Sequence, residues 1–402
     1  MPGWHEATKE LQADGRVTMV GIIQEQHPQR ARLFMQWKQM GWPIMVDARN
    51  ELGVAVVPKT ILIDEHGIIR DMRPPRRGIT EVAEAFASRS FEPPAVAPVA
   101  ATAAPPDLRV LSEATAAGTV DAWRRYAGAL VDWAGPERLG DAVEAYTRAV
   151  ELEPDDGPAQ FGLGVAFRRR FDSEYRHPGD FQSAVDHWGR ALSIDPNQYI
   201  RRRRIQQYGP RLDKPYPFYD WVPRARADIV SRGETPWPLP VEPSGAEFAR
   251  PARTFSAGDP DAPEPDRDDR IRHDARGFIL ARTTVVPSEA KPGATVRVHL
   301  DFRPNGAIGA HWNNEAEPMQ VWVSPPVGLA VDRRSHTVEN APAATSLETR
   351  TVEFEVQVPP GAAPGTITLP AYALYNVCEG LDGTCLYRRG DFEIEIRVSG
   401  EH

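Results

Sequence analysis

The sequence predicts a multidomain chain with an α/β part first, an all-α part in the middle and an all-β part last. Three observations predict it. The hydrophobic period changes twice along the 402 residues, composition breaks at two places, and one stretch repeats itself. The length alone suggests two to four domains, at roughly 100–200 residues each.

Composition narrows the classes. Hydrophobic residues at 41% and charged residues at 26% fit a globular protein. Lys+Arg 47 against Asp+Glu 56 gives a net charge of −9, which argues against a general nucleic-acid binder. Proline is the anomaly, 39 residues, or about twice the usual share. The prolines cluster, so they mark linkers and turn-rich β structure. No run approaches the ~18 consecutive apolar residues of a spanning helix, so no membrane span is expected. Met1-Pro2-Gly3-Trp4-His5-Glu6 also lacks the basic stretch and apolar run of an export signal.

The breaks set the domain boundaries. Glu92 to Pro106 is almost entirely Ala, Pro and Val, a semi-rigid spacer. From Thr235 to Arg270 the chain is Pro-rich (Pro236, Pro238, Pro240, Pro243) and then acidic (Asp259, Asp261, Glu264, Asp266, Asp268, Asp269). The expected organisation is an α/β domain over 1–91, a linker over 92–119 and a helical domain over 120–234. A second linker over 235–274 and a β domain over 275–402 follow.

Within 1–91, Val17 to Ile23 is a short apolar run suited to a buried parallel strand. Leu33, Phe34, Trp37 and Met40 lie at helical spacing, and Pro43 to Val46 is a second extended piece. Lys59–Ile63 and Ile68–Asp71 flank the turn signal Asp64-Glu65-His66-Gly67, and Glu81 to Ser90 closes with a helix. The order (α)βα(β)ββα describes an α/β sandwich ending in a hairpin.

The string from Gly53 to Ile69, with Val57-Pro58-Lys59-Thr60 and Ile63-Asp64-Glu65-His66-Gly67, resembles the second half of the thioredoxin fold in its TlpA/redoxin branch. The resemblance implies that Val57-Pro58 is the cis-proline loop, and that Val57, Pro58 and Thr60 bind substrate backbone. It also implies a Cys-x-x-Cys at the start of the first long helix, which this chain lacks. The expectation that follows is an N-terminally incomplete domain, with Met1 an internal methionine of a longer protein. The rival expectation is a degenerate domain that keeps the fold for docking. Either way this segment holds no thiol, so it has no thiol chemistry of its own.

Residues 120–232 contain the repeat. Ala142, Tyr146, Ala149 and Pro154 recur as Ala184, Trp188, Ala191 and Pro196. The offsets resemble the second helix and terminal proline of the tetratricopeptide repeat. Leu163, Gly164 and Phe167 fit the first helix of the second copy; Phe171 to Asp180 reads as an inter-helix insertion. Two repeats are few, so Tyr199 to Gly233 is expected to supply a capping helix. Such stacks bind peptides or proteins. Arg168-Arg169-Arg170 and Arg201-Arg202-Arg203-Arg204 could attract acidic segments, but the expected role is a solvated helix face. The aromatic run Tyr216, Phe218, Tyr219 and Trp221 is expected to pack the cap.

Residues 275–400 offer seven short strands with frequent turns: 278–285, 295–302, 319–323, 329–331, 351–358, 365–377 and 391–398. That pattern suggests an immunoglobulin-like sandwich. Val352 to Val358 and Phe392 to Val398 alternate cleanly between apolar and polar. Lys291-Pro292-Gly293, His311-Trp312-Asn313-Asn314, Pro318, Pro325 to Leu329 and the late pair Cys378 and Cys385 resemble the N-terminal immunoglobulin-like domain of the periplasmic disulfide reductase DsbD. The resemblance implies a disulfide between the two cysteines that exchanges electrons with a thioredoxin-like partner. From the residues alone, a Cys-x6-Cys pair flanking a turn at Glu379–Thr384 fits a hairpin disulfide that is either a structural staple or redox-active. His311 beside Trp312 is the next residue of interest, with packing as its expected role.

No Gly-rich phosphate loop, nucleophile triad or spaced carboxylate pair stands out, which disfavours kinases, hydrolases and nicotinamide enzymes. The expected function is thiol–disulfide exchange with protein clients or a thioredoxin-like redox partner, with a protein-docking repeat region. No cofactor, metal, nucleic acid or membrane is expected to be involved. The alternative is a non-catalytic adaptor with a structural disulfide. A disulfide favours a periplasmic or otherwise extracytoplasmic location.

Overall fold

The computed structural model describes residues 2–75, 77–95, 104–211, 219–248, 263–380 and 383–400. Tyr216, Phe218, Asp259 and Asp261, singled out above, lie outside them. The chain is mixed α and β, and it divides into two compact units. One comprises Met1–Val165, Ile194–Arg203 and Tyr219–Pro243; the other comprises Ala166–Ser193, Arg204–Phe218 and Ser244–His402. The division crosses the helical region and falls once within the second Pro-rich stretch, between Pro243 and Ser244.

The first unit opens with α1 (Pro2–Ala13), β1 (Gly21–Ile23), α2 (Gln29–Trp37), β2 (Ile44–Val46), β3 (Leu62–Ile63), β4 (Ile69–Asp71) and α3 (Ile79–Ala87). β1 and β2 run parallel, as a strand–helix–strand crossover requires, and β3 pairs antiparallel with β4. The strands are short and form two separate two-stranded ladders. The turn between β3 and β4 is built by Asp64, whose carboxylate accepts from the amides of His66 and Ile68, each at 2.9 Å. Strand side chains remain open to solvent, among them Ile22, Met45, Ile63 and Ile69.

The expected spacer over 92–119 is helical in its second half. Past the prolines, Leu108–Ala114 forms α4, and Asp107 caps it by accepting from the amides of Arg109 and Val110. α5 (Val120–Trp133) packs on α6 (Leu139–Leu152), where Ala142, Tyr146 and Ala149 are all buried. α7 (Gly157–Phe171) follows, and its Gly162 lies against the Tyr146 ring, so closely that a Cβ there would clash. The expected single capping helix is two helices, α9 (Tyr199–Tyr208) and α10 (Val222–Ser231). α10 packs on α2 through Leu33, Val222, Ile229 and Leu239. Trp221 stacks on Trp37, rings 5.8 Å apart, so this aromatic packs on α2 of the α/β segment. Proline-rich 235–243 is likewise held on α2: Gln36 donates to the Thr235 carbonyl (2.9 Å) and accepts from the Trp237 amide (2.9 Å).

In the second unit, α8 (Asp180–Ile194) buries Phe181, Ala184, Val185, Trp188 and Ala191. The arginine runs depart in part from the expected solvated face: Arg168, Arg170, Arg201 and Arg204 are buried, Arg169 and Arg203 are half-buried, and Arg202 is exposed. Local acids and aromatic rings explain the burial. Arg170 forms a bidentate pair with Asp180 (3.0 and 2.6 Å). Arg168 pairs with Asp172 and lies over Phe171, Phe181 and Tyr208, and Arg204 lies over Trp188. Guanidinium suits such sites because it is planar and weakly hydrated.

Eleven strands are described from Ile279 on: β5 (Ile279–Val286), β6 (Glu289–Ala290), β7 (Thr295–Pro304), β8 (Ala310–Asn313), β9 (Met319–Val323), β10 (Ala330–Val331), β11 (Ser335–Val338), β12 (Thr345–Ser346), β13 (Arg350–Gln357), β14 (Gly365–Glu379) and β15 (Cys385–Val398). One sheet runs β10-β13-β7-β5. The other runs β11-β9-β14-β15-β6, with β8 paired to β14 and β12. The sheets enclose one core, including Leu300, Phe302, Trp312, Phe354, Tyr375, Ile394 and Ile396. Each of the seven expected strands is present, the last beginning well before Asp391, at Cys385; β6, β8, β11 and β12 are additional.

A buried polar cluster covers the outer face of β7 and β13. His299 Nδ1 is 2.9 Å from Glu353 Oε1, and its Nε2 is 2.8 Å from the Tyr208 carbonyl oxygen. Arg297 pairs with Glu353 and, at 3.3 Å, with Glu355. Burial alone would raise the Glu353 pKa; the charges and hydrogen bonds of His299 and Arg297 outweigh it and hold the carboxyl well below the usual range.

His336 on β11 is buried against Phe354, with ring centroids 5.4 Å apart. Burial pushes its pKa down to about 4. The unfolded chain, with an ordinary imidazole near 6.5, therefore binds more protons than the folded one between those values. Stability should be intact above pH 6.5 and fall by up to ~3 kcal/mol as pH drops to about 4. Urea unfolding of His336→Gln across this range should show a shallower slope; an unchanged slope would contradict the assignment.

Candidate disulfide site

The long hairpin β14–β15 carries both cysteines. Its ladder runs unbroken from Gly365 opposite Val398 to Cys378 opposite Cys385. Its strands include Thr366, Ile367, Thr368, Tyr372, Tyr375, Val377, Ile394 and Ile396, residue types suited to a pleated, half-buried surface. Alternation assigns the faces. Leu369, Ala371, Ala373, Tyr375 and Val377 join the core between the sheets, while Tyr372 and Leu374 pack with Trp322 on the outer side. Cys378 follows the even-numbered set, so the cysteine pair lies on the outer face at the hairpin's end.

The structure brings Cys378 and Cys385 together as a disulfide with Cα atoms 4.0 Å apart. Their environments differ. Cys378 is 4% exposed, whereas Cys385 is open to solvent. Cys385 is therefore the more open of the two to a thiolate arriving from solution. On the other edge of β14, β8 pairs with it so that Trp312 faces Val377 and His311 faces Cys378.

Several contacts fix the hairpin's end. Glu379, next to Cys378, takes a bidentate pair from Arg276 (2.8 and 2.7 Å), which lowers its pKa. The Gly380 amide donates to the Gly309 carbonyl at 3.1 Å. The Tyr375 hydroxyl donates to Asp274 at 2.7 Å; burial first, and then that carboxylate, push the phenol well above its ordinary value. A cavity of about 260 Å³ lined by Arg272, Arg276, Phe278, Leu386 and Arg388 opens on the inner-face side of β15. Part of the expected second linker is built into this sheet. Asp266 is buried, accepts from the Arg270 amide (2.9 Å) and pairs with Arg389 (3.0 Å).

Val57, Pro58 and Thr60 belong to the first unit. They lie on the loop before β3, and the Val57–Pro58 peptide bond is cis. Val57 and Pro58 are exposed and Thr60 is half-buried. Sequence reasoning gave His311 a packing role and missed its place beside Cys378, since a four-residue strand such as β8 carries no long periodic signal. Among the described residues no group of three or more His, Cys, Asp or Glu is arranged to hold a metal ion. None of the described helices is long and apolar enough to cross a membrane.

No family model and no curated protein matches this chain. Among solved structures it is similar to a protein of unknown function from Porphyromonas gingivalis W83, at 17% identity and TM-score 0.20, over 30% of this chain and 48% of that one. It is also similar to BslA, a bacterial hydrophobin, at 14% identity and TM-score 0.19, over 31% of this chain and 98% of that one. The sporulation control protein Spo0M from Bacillus subtilis matches at 12% identity and TM-score 0.17, over 31% of this chain and 51% of that one. The chain thus spans about half the length of the Porphyromonas and Bacillus proteins. Likenesses this distant identify neither a fold nor a function.

Replacing Tyr375 by Phe removes the buried bond to Asp274 while keeping the ring. The variant should lose about 1–2 kcal/mol in chemical denaturation; no loss would mean that this bond does not hold Asp274 against β14.

Proposed function

We propose that this chain is a thiol–disulfide exchange protein whose reactive group is the Cys378–Cys385 bond. The observation that carries the reading is the asymmetry of that bond: one cysteine exposed at the end of a long ladder, the other buried opposite it. Exposed disulfides are the labile and catalytic ones, since exchange needs in-line access by a thiolate. In the first half-reaction an external thiolate attacks Cys385 Sγ. A mixed disulfide forms, the Cys378–Cys385 bond breaks, and its electron pair leaves on Cys378 Sγ. A second thiol of the partner then resolves the mixed disulfide, leaving this chain reduced and the partner oxidised.

The finer fold assignments belong to the same reading. We assign the first segment to a thioredoxin-like fold covered only in part, supported by the parallel β1–β2 pair, the antiparallel β3–β4 hairpin and the exposed strand side chains. Parallel strands are otherwise buried on both faces. We assign α5 to α8 to tetratricopeptide hairpins with a protein-docking role, supported by burial of Ala142, Tyr146 and Ala149 in one helix and of Ala184, Trp188 and Ala191 in another. The two sheets around one core support an immunoglobulin-like sandwich. The compartment proposed is extracytoplasmic, where such a bond forms.

One observation favours the adaptor alternative: the chain has two cysteines in all, so a dithiol partner must come from another molecule. Redox titration in graded glutathione buffers, read by thiol labelling and intact mass, separates the readings. Exchange predicts a midpoint near the ~−180 to −270 mV of exchange proteins; a midpoint below about −300 mV would make the bond structural and leave the adaptor reading.

A further inference from the structure

Three neighbouring strands place His311, Cys378 and Cys385 in one register row, with His311 opposite Cys378 and Cys378 opposite Cys385. The adjacent row is Trp312, Val377 and Leu386, all packed on the core. Because strand side chains alternate, the His311 imidazole lies on the outer face with the disulfide. Side chains directly opposite across a ladder have Cβ atoms roughly 4.5–5.5 Å apart, close enough for an imidazole to reach a neighbouring sulfur. His311 is half-buried, and its ring makes no hydrogen bond to any described residue, so it is uncommitted. Trp312, by contrast, is committed: it is buried and its indole donates to the Glu348 carbonyl at 2.9 Å.

We infer that His311 holds the thiolate that leaves on Cys378 when Cys385 is attacked. The inference rests on the exchange reading above and gives that site its positioning residue. Cys378 is the sulfur that most needs help, because burial disfavours a bare thiolate. An imidazolium beside it stabilises the developing charge, and the proton can pass from the ring to Cys378 Sγ as the bond breaks. In the reverse direction the neutral ring takes that proton back and frees Cys378 to re-form the disulfide.

The charged groups on the surrounding elements are mostly paired already. Glu379 on β14 is tied to Arg276, and Glu348 before β13 is tied to Arg350. Glu315 and Glu317 lie in the turn after β8. Tyr387 on β15, whose phenol is raised first by burial and then by Glu317, lies two residues beyond Cys385. His311 is therefore the imidazole directly opposite the leaving sulfur.

The test is the rate of reduction of the oxidised full chain by dithiothreitol between pH 5.5 and 8.5, divided by the thiolate present. An imidazole changes charge within this range. The corrected rate constant should rise about 3- to 10-fold as pH falls, the scale of a charged hydrogen bond realised in part in the transition state. His311→Gln should give a flat, lower profile, and His311→Lys should keep the higher rate without the inflection. Matching wild-type and His311→Gln profiles, with native circular dichroism in both, would overturn the proposal. A midpoint typical of a structural bond would remove the exchange reading yet leave this kinetic effect measurable, so the two failures are distinguishable.

Discussion

The β14–β15 ladder is the constraint on which the proposed chemistry depends. Side chains in a strand alternate with a period of two, so one register fixes every face along both strands. A slip by one residue would turn Cys378 into the core and Tyr375 out of it. The core forbids that slip, because Leu369, Ala371, Ala373, Tyr375 and Val377 on one strand and Ile394 and Ile396 on the other all need burial. A hydrophobic pattern many residues long thus sets the position of two sulfurs at the strand ends. The same register, carried across to β8, sets the histidine.

Buried charge organises the rest of the second unit. His299, Arg297 and Glu353 on the outer face of β7 and β13 meet the Tyr208 carbonyl at the end of α9. Arg170 ties α7 to α8 through Asp180, and Arg168 pairs with Asp172 at the end of α7. Such groups are costly to bury alone and are tolerated here because each is paired and hydrogen-bonded. They explain why helical segments and sheets share one compact unit despite the Pro-rich stretches between them in sequence.

How much of this was legible in the sequence depends on range. Short-range signals read well: the element order of 1–91, the alternation of 352–358 and 392–398, and the turn between Cys378 and Cys385. Residues whose role is set by distant partners read poorly. The arginine runs look like a solvated face until Phe181 and Tyr208 come to lie against them. α4 hid inside the expected linker, just past its Ala/Pro-rich run, although Asp107 was a usable cap signal. β8 is too short to show a period, and its pairing with β14 is a non-local fact, so the register of His311 with Cys378 could not be read from spacing.

If the ladder, and not the sulfur–sulfur bond, holds the hairpin in register, the bond can open and close in place. Hydrogen–deuterium exchange on the oxidised and reduced protein tests it most directly. The backbone amides of Val377, Cys378 and Leu386 should then keep their protection when the bond is reduced. Loss of protection running back along both strands would contradict it and make the disulfide a staple that the hairpin needs in order to fold.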